Sequence, residues 1–177
     1  MLKIDRAILV AIDIQGNLYR VMDDREFLLR NCRKLIQGTR MLGIPVMLTE
    51  QVKIGGTVPE ILELLPDVAP IVKESFSCWR HEPFAAALKA AGREQLILMG
   101  IEAHVCVYQT CMDLLEAGFE VHLASDAVSS RSAANREIGI GRMTAEGAIP
   151  ASTEMILFEL LETAAHPKAK ELFKLIK

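Results

Sequence analysis

The sequence predicts an α/β fold in which a mainly parallel sheet lies between two layers of helices. Two observations carry that expectation. Continuous apolar runs of strand length, Ala7-Ile8-Leu9-Val10-Ala11-Ile12 and Leu96-Ile97-Leu98-Met99, lack the alternating polar residues of a strand with one wet face, so they belong in a sheet covered on both sides. Segments of helical spacing separate such runs, and strand and helix alternate about six times, the order that crossover connections between parallel strands require. The 177 residues, 51% of them hydrophobic, suffice for one domain over residues 1–177 with a sizeable core.

The first strand runs from Ala7 to Ile12 and stops at Asp13. Apolar positions at Phe27, Leu28, Cys32, Leu35, Ile36 and Met41 mark a helix from about Asp24 to Leu42, closed by Gly43. Ile44 to Thr49 reads as the second strand. Gly55-Gly56, Pro59 and Pro66 make Gln51 to Pro70 a long crossing loop, with a short helical piece at Glu60 to Leu65. Ile71-Val72 is a brief third strand leading to Lys73, and Glu74 to Trp79 after it shows neither helical nor strand period. Pro83 opens a helix that continues through Ala91. Gln95 to Met99 is strand four, a helix from near Cys106 stops at Gly118, and Phe119 to Ala124 is strand five with Ser125-Asp126 at its end. A helix from Ser132 to Glu146, a strand at Ala148 to Pro150, a helix from Ser152 to Glu162 and a docking helix from Pro167 to Ile176 complete the alternation.

A net charge of −3, without a basic run or a basic patch interleaved with aromatics, argues against a nucleic-acid partner. The opening apolar run is interrupted at Asp13, too short for a membrane span and without a small-residue cleavage site, so a soluble cytoplasmic chain with no membrane partner is expected. Cys32, Cys78, Cys106 and Cys111 match no zinc-ligand spacing, and a core of this size needs no disulfide; free thiols are expected. The apolar, sparsely charged stretch from Thr144 to Leu161 leaves surface that contact between subunits would bury, so a homo-oligomer rather than a monomer is expected.

In a parallel sheet, ligands sit beyond the carboxyl ends of the strands, where the strand order reverses. Asp13, Lys73 and Cys106 follow strands one, three and four, so a carboxylate, an amine and a thiol are expected to converge on one crevice. Cys106 falls at a strand-to-helix elbow, where unpaired backbone N–H groups and the positive end of the helix favour a thiolate and an oxyanion. An Asp carboxylate can take the thiol proton, an ammonium can steady the anions, and the thiolate can attack a carbonyl carbon.

The ordered set of Asp13-Ile14-Gln15 after an apolar strand, Val72-Lys73-Glu74-Ser75-Phe76-Ser77, Gly100-Ile101-Glu102-Ala103-His104-Val105-Cys106 and Ser125-Asp126-Ala127 resembles the isochorismatase-like cysteine hydrolase superfamily over almost the whole chain. The resemblance implies a Rossmann-like three-layer α/β/α sandwich with a six-stranded sheet, and assembly into dimers, tetramers or larger forms. It also implies a reaction, the cleavage of a small amide, imide or related C–N bond through a thioester. Cys106 would be the nucleophile, Asp13 base and then acid, and Lys73 their electrostatic partner. An oxyanion hole from the backbone N–H groups of Glu102 and Cys106, and a cis peptide between Ile101 and Glu102, are implied as well.

The departures from the family pattern narrow this. Nicotinamidases of the superfamily hold zinc through an Asp and two His near the end of strand two, where this chain has Thr49-Glu50-Gln51-Val52-Lys53 and no His before His81; no metal and no cofactor are expected. True isochorismatases have Gly where Cys106 stands, which favours amide chemistry over vinyl-ether hydrolysis. Gln15, Phe76 and Trp79, close behind the catalytic strand ends, are the candidate pocket for a small planar substrate, with packing of Phe76 and Trp79 in the core or between subunits as the equal alternative. His104 is read as a packing or subunit-contact residue, and His81, His122 and His166 carry no functional signal. The alternative is a non-catalytic or redox-sensing member of the fold, since an environment that makes a nucleophile also makes an oxidisable thiol.

Overall fold

The computed structural model describes residues 1–177, and its elements run β1 (Ala7–Ile12), α1 (Gly16–Tyr19), α2 (Arg25–Met41), β2 (Val46–Gln51), α3 (Pro59–Leu62), β3 (Ile71–Lys73), α4 (Glu82–Ala91), β4 (Gln95–Ile101), α5 (Cys106–Glu116), β5 (Glu120–Ser129), α6 (Ala133–Ala145), β6 (Ile149–Ala151), α7 (Thr153–Leu161) and α8 (Ala169–Ile176). The strands form one six-stranded sheet in the order β3-β2-β1-β4-β5-β6, and every pairing is parallel. Strand order reverses at β1 and β4, which places the residues that follow these two strands at the switch point.

Successive residues of β1 face opposite sides of the sheet, and all six are buried. Ala7, Leu9 and Ala11 enter the core made with Leu28, Leu35 and Ile36 of α2, Ile156 and Leu160 of α7 and Leu172 of α8. Ile8, Val10 and Ile12 enter the second core, with Phe84 and Leu88 of α4, Val107, Cys111 and Leu114 of α5 and Met143 of α6. A strand with two cores has no polar position to spare, which is why the run reads as continuously apolar. No helix is long and apolar enough to cross a membrane.

Several boundaries differ from expectation, each with a local cause. Strand β2 begins at Val46 rather than Ile44, because Gly43 N–H bonds Arg40 O at 3.0 Å and Ile44 N–H bonds Thr39 O at 2.9 Å, a Schellman close that still belongs to α2. Strand β5 continues to Ser129 instead of ending at Ala124. Ser125-Asp126 looks like a turn in the sequence, but the Asp126 carboxylate accepts from Thr153 N–H at 2.7 Å and Thr153 Oγ1 at 2.9 Å, holding the start of α7 against the sheet. The register between β4 and β5 shifts between Leu98 and Gly100 to absorb the added residues. The one-turn helix α1 buries no residue and has no apolar period, so the sequence does not announce it.

Gly100 links the fold to the site. Its φ is +123°, and a side chain there would overlap the backbone of Ile12 on the neighbouring strand. Only glycine permits both the conformation and the approach. The ends of β1 and β4, and with them Asp13 and the turn that leads to Cys106, are thereby drawn together.

Candidate active site

Asp13 directly follows β1 and adopts the left-handed region at φ +52°, where Asp is better tolerated than most residues. Gln15 N–H closes back on Asp13 O at 2.7 Å, so the chain turns at once and leaves the carboxylate at the strand end. Lys73 closes β3, and its ammonium meets Asp13 Oδ2 at 2.7 Å with both side chains at 0% exposure.

An enclosed ammonium needs an acceptor for every proton. Lys73 Nζ finds them in Asp13 Oδ2, Gln51 Oε1 at 2.9 Å, Phe76 O at 3.1 Å and Ser75 O at 3.2 Å. The segment after β3 wraps its carbonyls around this charge, which explains why Glu74 to Trp79 follows neither helical nor strand period. Gln51 is itself fixed: its Nε2 donates to Glu74 O at 2.8 Å, its N–H donates to Gln15 Oε1 at 2.7 Å, and its carbonyl accepts from Gln15 Nε2 at 2.9 Å.

Cys106 is the first residue of α5 and is 6% exposed. The turn before it is tied down by Ala103 N–H to Ser129 O at 2.8 Å and by His104 Nδ1 against Ser130 Oγ at 2.9 Å. Gly139 of α6 lies so close to Ala103 O that a side chain there would collide with it. The peptide bond between Ile101 and Glu102 is cis. Backbone N–H groups of Glu102 and Cys106 donate to no turn, loop or side-chain acceptor, and as the first residue of α5 Cys106 has no partner one turn back within the helix, whereas Val105 and Val107 N–H both bond Glu102 O. The Glu102 side chain is turned to Arg131, accepting from its Nε at 3.0 Å and from its N–H at 3.1 Å.

Two opposing influences act on the sulfur. A helix start favours a thiolate, but burial, the largest influence here, pushes the Cys106 thiol above its ordinary range; the Asp13 carboxylate pushes the same way through its charge and as hydrogen-bond acceptor, and Lys73 only partly offsets them. The resting group is therefore a thiol facing a carboxylate. Burial also raises Cys78, to about 11, and Cys111, to about 12, and all four cysteines are free.

The three candidate pocket residues do not act together. Gln15 is fully buried, and its amide is fully engaged with Gln51 and with Gly55 O. It holds the loop after β2 and is not open to a substrate. Trp79 packs edge-on against Phe119, with ring centroids 5.3 Å apart and the Lys89 ammonium over its face at 5.2 Å, so it belongs to the α4 side of the core. Phe76 alone remains available, at 53% exposure. The surface carries 12 concavities, and the five principal ones, up to about 470 Å3, are lined by none of Asp13, Lys73 and Cys106. No cluster of three or more His, Cys, Asp or Glu side chains is placed to hold a metal ion. Sequence reasoning missed Thr49 and Gln51, which touch Asp13 and Lys73; their only signal is a polar residue on a strand otherwise committed to the core.

Known proteins share this fold. A family model described as the isochorismatase domain matches residues 7–155. Isochorismatase domain-containing protein 1 of Salmo salar is 41% identical over 147 residues, 82% of this chain; the match spans only 52% of that longer protein, about half its length. Among solved structures, the MAR1 ribonuclease of Caenorhabditis elegans superposes with a TM-score of 0.93 at 37% identity, over 99% of this chain and 91% of that one. YcaC of Escherichia coli, described as an octameric hydrolase of unknown specificity, gives 0.93 at 26% identity, over 98% and 89%. YcaC of Pseudomonas aeruginosa, solved with hexane-2,5-diol and covalent acrylamide, gives 0.89 at 27% identity, over 99% and 95%. With a match that runs from Ala7 to Met155 and takes in the ends of β1, β3 and β4 alike, the chain belongs to the isochorismatase family.

Proposed function

We propose that the protein is a cysteine hydrolase that cleaves the C–N bond of a small amide or imide through a thioester on Cys106. The observation that carries this reading is the fully buried Asp13–Lys73 ion pair set against the Cys106 thiol. A fold gains little from such a pair, because desolvation offsets most of the attraction between the charges; general base catalysis gains much from a carboxylate held in place.

The reaction follows from these groups. As Sγ of Cys106 attacks the substrate carbonyl carbon, the thiol proton passes to Asp13, and the carbonyl oxygen becomes an oxyanion received by the N–H groups of Glu102 and Cys106. Collapse of the tetrahedral adduct breaks the C–N bond. The departing amine takes the proton from Asp13 and leaves an acyl group on sulfur. Water then adds to the thioester, giving one proton to Asp13; the second collapse releases the carboxylic acid and returns that proton to the sulfur. Lys73 stays an ammonium throughout and keeps the negative charge on Asp13 or Cys106 compensated.

The electrophile bound to the Pseudomonas aeruginosa neighbour fits a nucleophile of this kind, because acrylamide is both a carboxamide and an acceptor for thiols. The Caenorhabditis elegans name raises RNA as a second substrate. Against it stand the net charge of −3 and the enclosure of Lys73, which keeps the one ammonium at the site from a phosphodiester backbone. The test is release of ammonia or amine from a panel of small carboxamides and imides, with a single-stranded RNA run alongside. Turnover of at least one carboxamide, with the RNA intact, is expected. RNA cleavage with every amide inert would overturn the reading.

Self-association belongs to the same proposal. Ile138, Met155 and Phe158 are 60%, 54% and 43% exposed on α6 and α7, and Val72 and Phe76 are each 53% exposed beside the Lys73 cage. Apolar surface of this extent is commonly covered by another copy, and the Escherichia coli neighbour is an octamer. Sedimentation at micromolar concentration is expected to give a multiple of the 19.6 kDa chain mass. A single species at the chain mass would contradict it.

A further inference from the structure

Lys73 engages only one oxygen of the Asp13 carboxylate, Oδ2. A single contact leaves the group free to turn about its Cβ–Cγ bond, a torsion with broad preferences. The other oxygen, Oδ1, accepts from Thr49 Oγ1 at 2.7 Å. A carboxylate only accepts, so the one hydroxyl hydrogen of Thr49 lies on this bond and its lone pairs face elsewhere. They meet the Cys78 thiol, whose Sγ is 3.8 Å away and donates to Thr49 Oγ1. Cys78 is in turn anchored by its N–H to Thr110 Oγ1 at 2.9 Å, one turn along α5 from Cys106. Thr49 grips Asp13 a second time, since its carbonyl accepts Asp13 N–H at 3.3 Å. Thr49, Cys78 and Thr110 are all at 0% exposure, so no solvent stands ready to replace a lost bond.

We infer that Thr49 is a positioning residue of the site. Through the buried chain from Cys78 to Thr49 to Asp13 it fixes the rotation of the carboxylate, so that the base remains aligned with the Cys106 thiol. The inference rests on the reading of Asp13 as the base for Cys106, and the test separates the two. Acrylamide is the probe. Its addition forms a bond between Sγ and the terminal alkene carbon, moves the π electrons to the carbon beside the carbonyl, and delivers the thiol proton there by way of Asp13. The maximal labelling rate of Cys106, and the acrylamide concentration that gives half of it, are read by peptide mass spectrometry.

Asp13→Asn is expected to lower the maximal rate by about 100-fold or more, the usual worth of a general base. Thr49→Val, which keeps the shape and removes the hydroxyl, is expected to lower it by about tenfold or more without changing the half-saturating concentration, as misalignment of a reacting group does. Thr49→Ser is expected to restore the rate, and Thr49→Ala serves the same comparison should the valine variant not fold. If Asp13→Asn slows labelling while Thr49→Val labels like the wild type, the role of Thr49 is refuted and that of Asp13 stands. If Thr49→Ser is as slow as Thr49→Val, the hydroxyl is not the cause and the inference fails. If neither Asp13→Asn nor Thr49→Val slows labelling, the base itself is misassigned and both readings fall.

Discussion

Replacement of Cys106 by alanine is expected to reduce turnover of any carboxamide substrate by at least about 10,000-fold, because the covalent route loses its nucleophile and no neighbouring group can take over. Asp13 is a poor substitute, since a carboxylate paired with Lys73 is a far weaker nucleophile than a thiolate. Cys78 cannot take over either, because it is fully buried and directed at Thr49. The fold should tolerate the change: Cys106 lies at the first position of α5, and alanine has the highest helix propensity. The loss is therefore expected in turnover with the thermal unfolding profile retained. A Cys106→Ala variant that hydrolyses the same substrate at a comparable rate would remove the thioester from the mechanism.

Lys73→Met is expected to lower the unfolding free energy by about 3–5 kcal/mol, the usual result of removing one partner from an enclosed ion pair. The ammonium is gone, but its four acceptors remain: the Asp13 carboxylate, Gln51 Oε1 and the carbonyls of Ser75 and Phe76 stay desolvated and lose their donor. Activity should vanish together with the loop that Lys73 organises. The mechanism of destabilisation is distinguishable from simple loss of packing. With Asp13→Asn added to Lys73→Met, the stranded negative charge disappears and much of the stability should return, while activity stays absent. Urea unfolding of the two single variants and the double variant measures this. An additive double variant would mean that the pair contributes nothing as a pair.

The architecture was legible because burial on both faces writes itself into the sequence as uninterrupted apolar runs. β1 and β4 are readable for that reason alone, and Asp13 is conspicuous as the first charge after a strand buried along its whole length, whereas Lys73 ends a three-residue strand whose Val72 is exposed. What was not legible depends on contacts between distant segments. Ser125-Asp126 has the chemistry of a turn, and only the packing of α7 turns Asp126 into a cap inside a strand. Gln15 and Trp79 look like pocket residues by position, yet one is engaged by the backbone at Gln51 and Gly55 and the other by Phe119. Thr49 shows in the sequence only as a polar residue on a core strand, because its significance lies in a hydrogen bond to a residue 36 positions earlier. The surroundings of Cys106 are hidden for a related reason: the helix start is local and visible, whereas burial and the charge of Asp13 are tertiary.

The account depends most directly on a covalent intermediate at one sulfur. A carboxamide that the protein turns over should be mixed with the enzyme, quenched in acid during turnover, and the protein digested and weighed. The prediction is an acyl group, the substrate less its amine, on the peptide that contains Cys106, formed in the wild type and absent from Cys106→Ala. Steady turnover with no acyl group on that peptide at any quench time, and with the rate unchanged in Cys106→Ala, would contradict it.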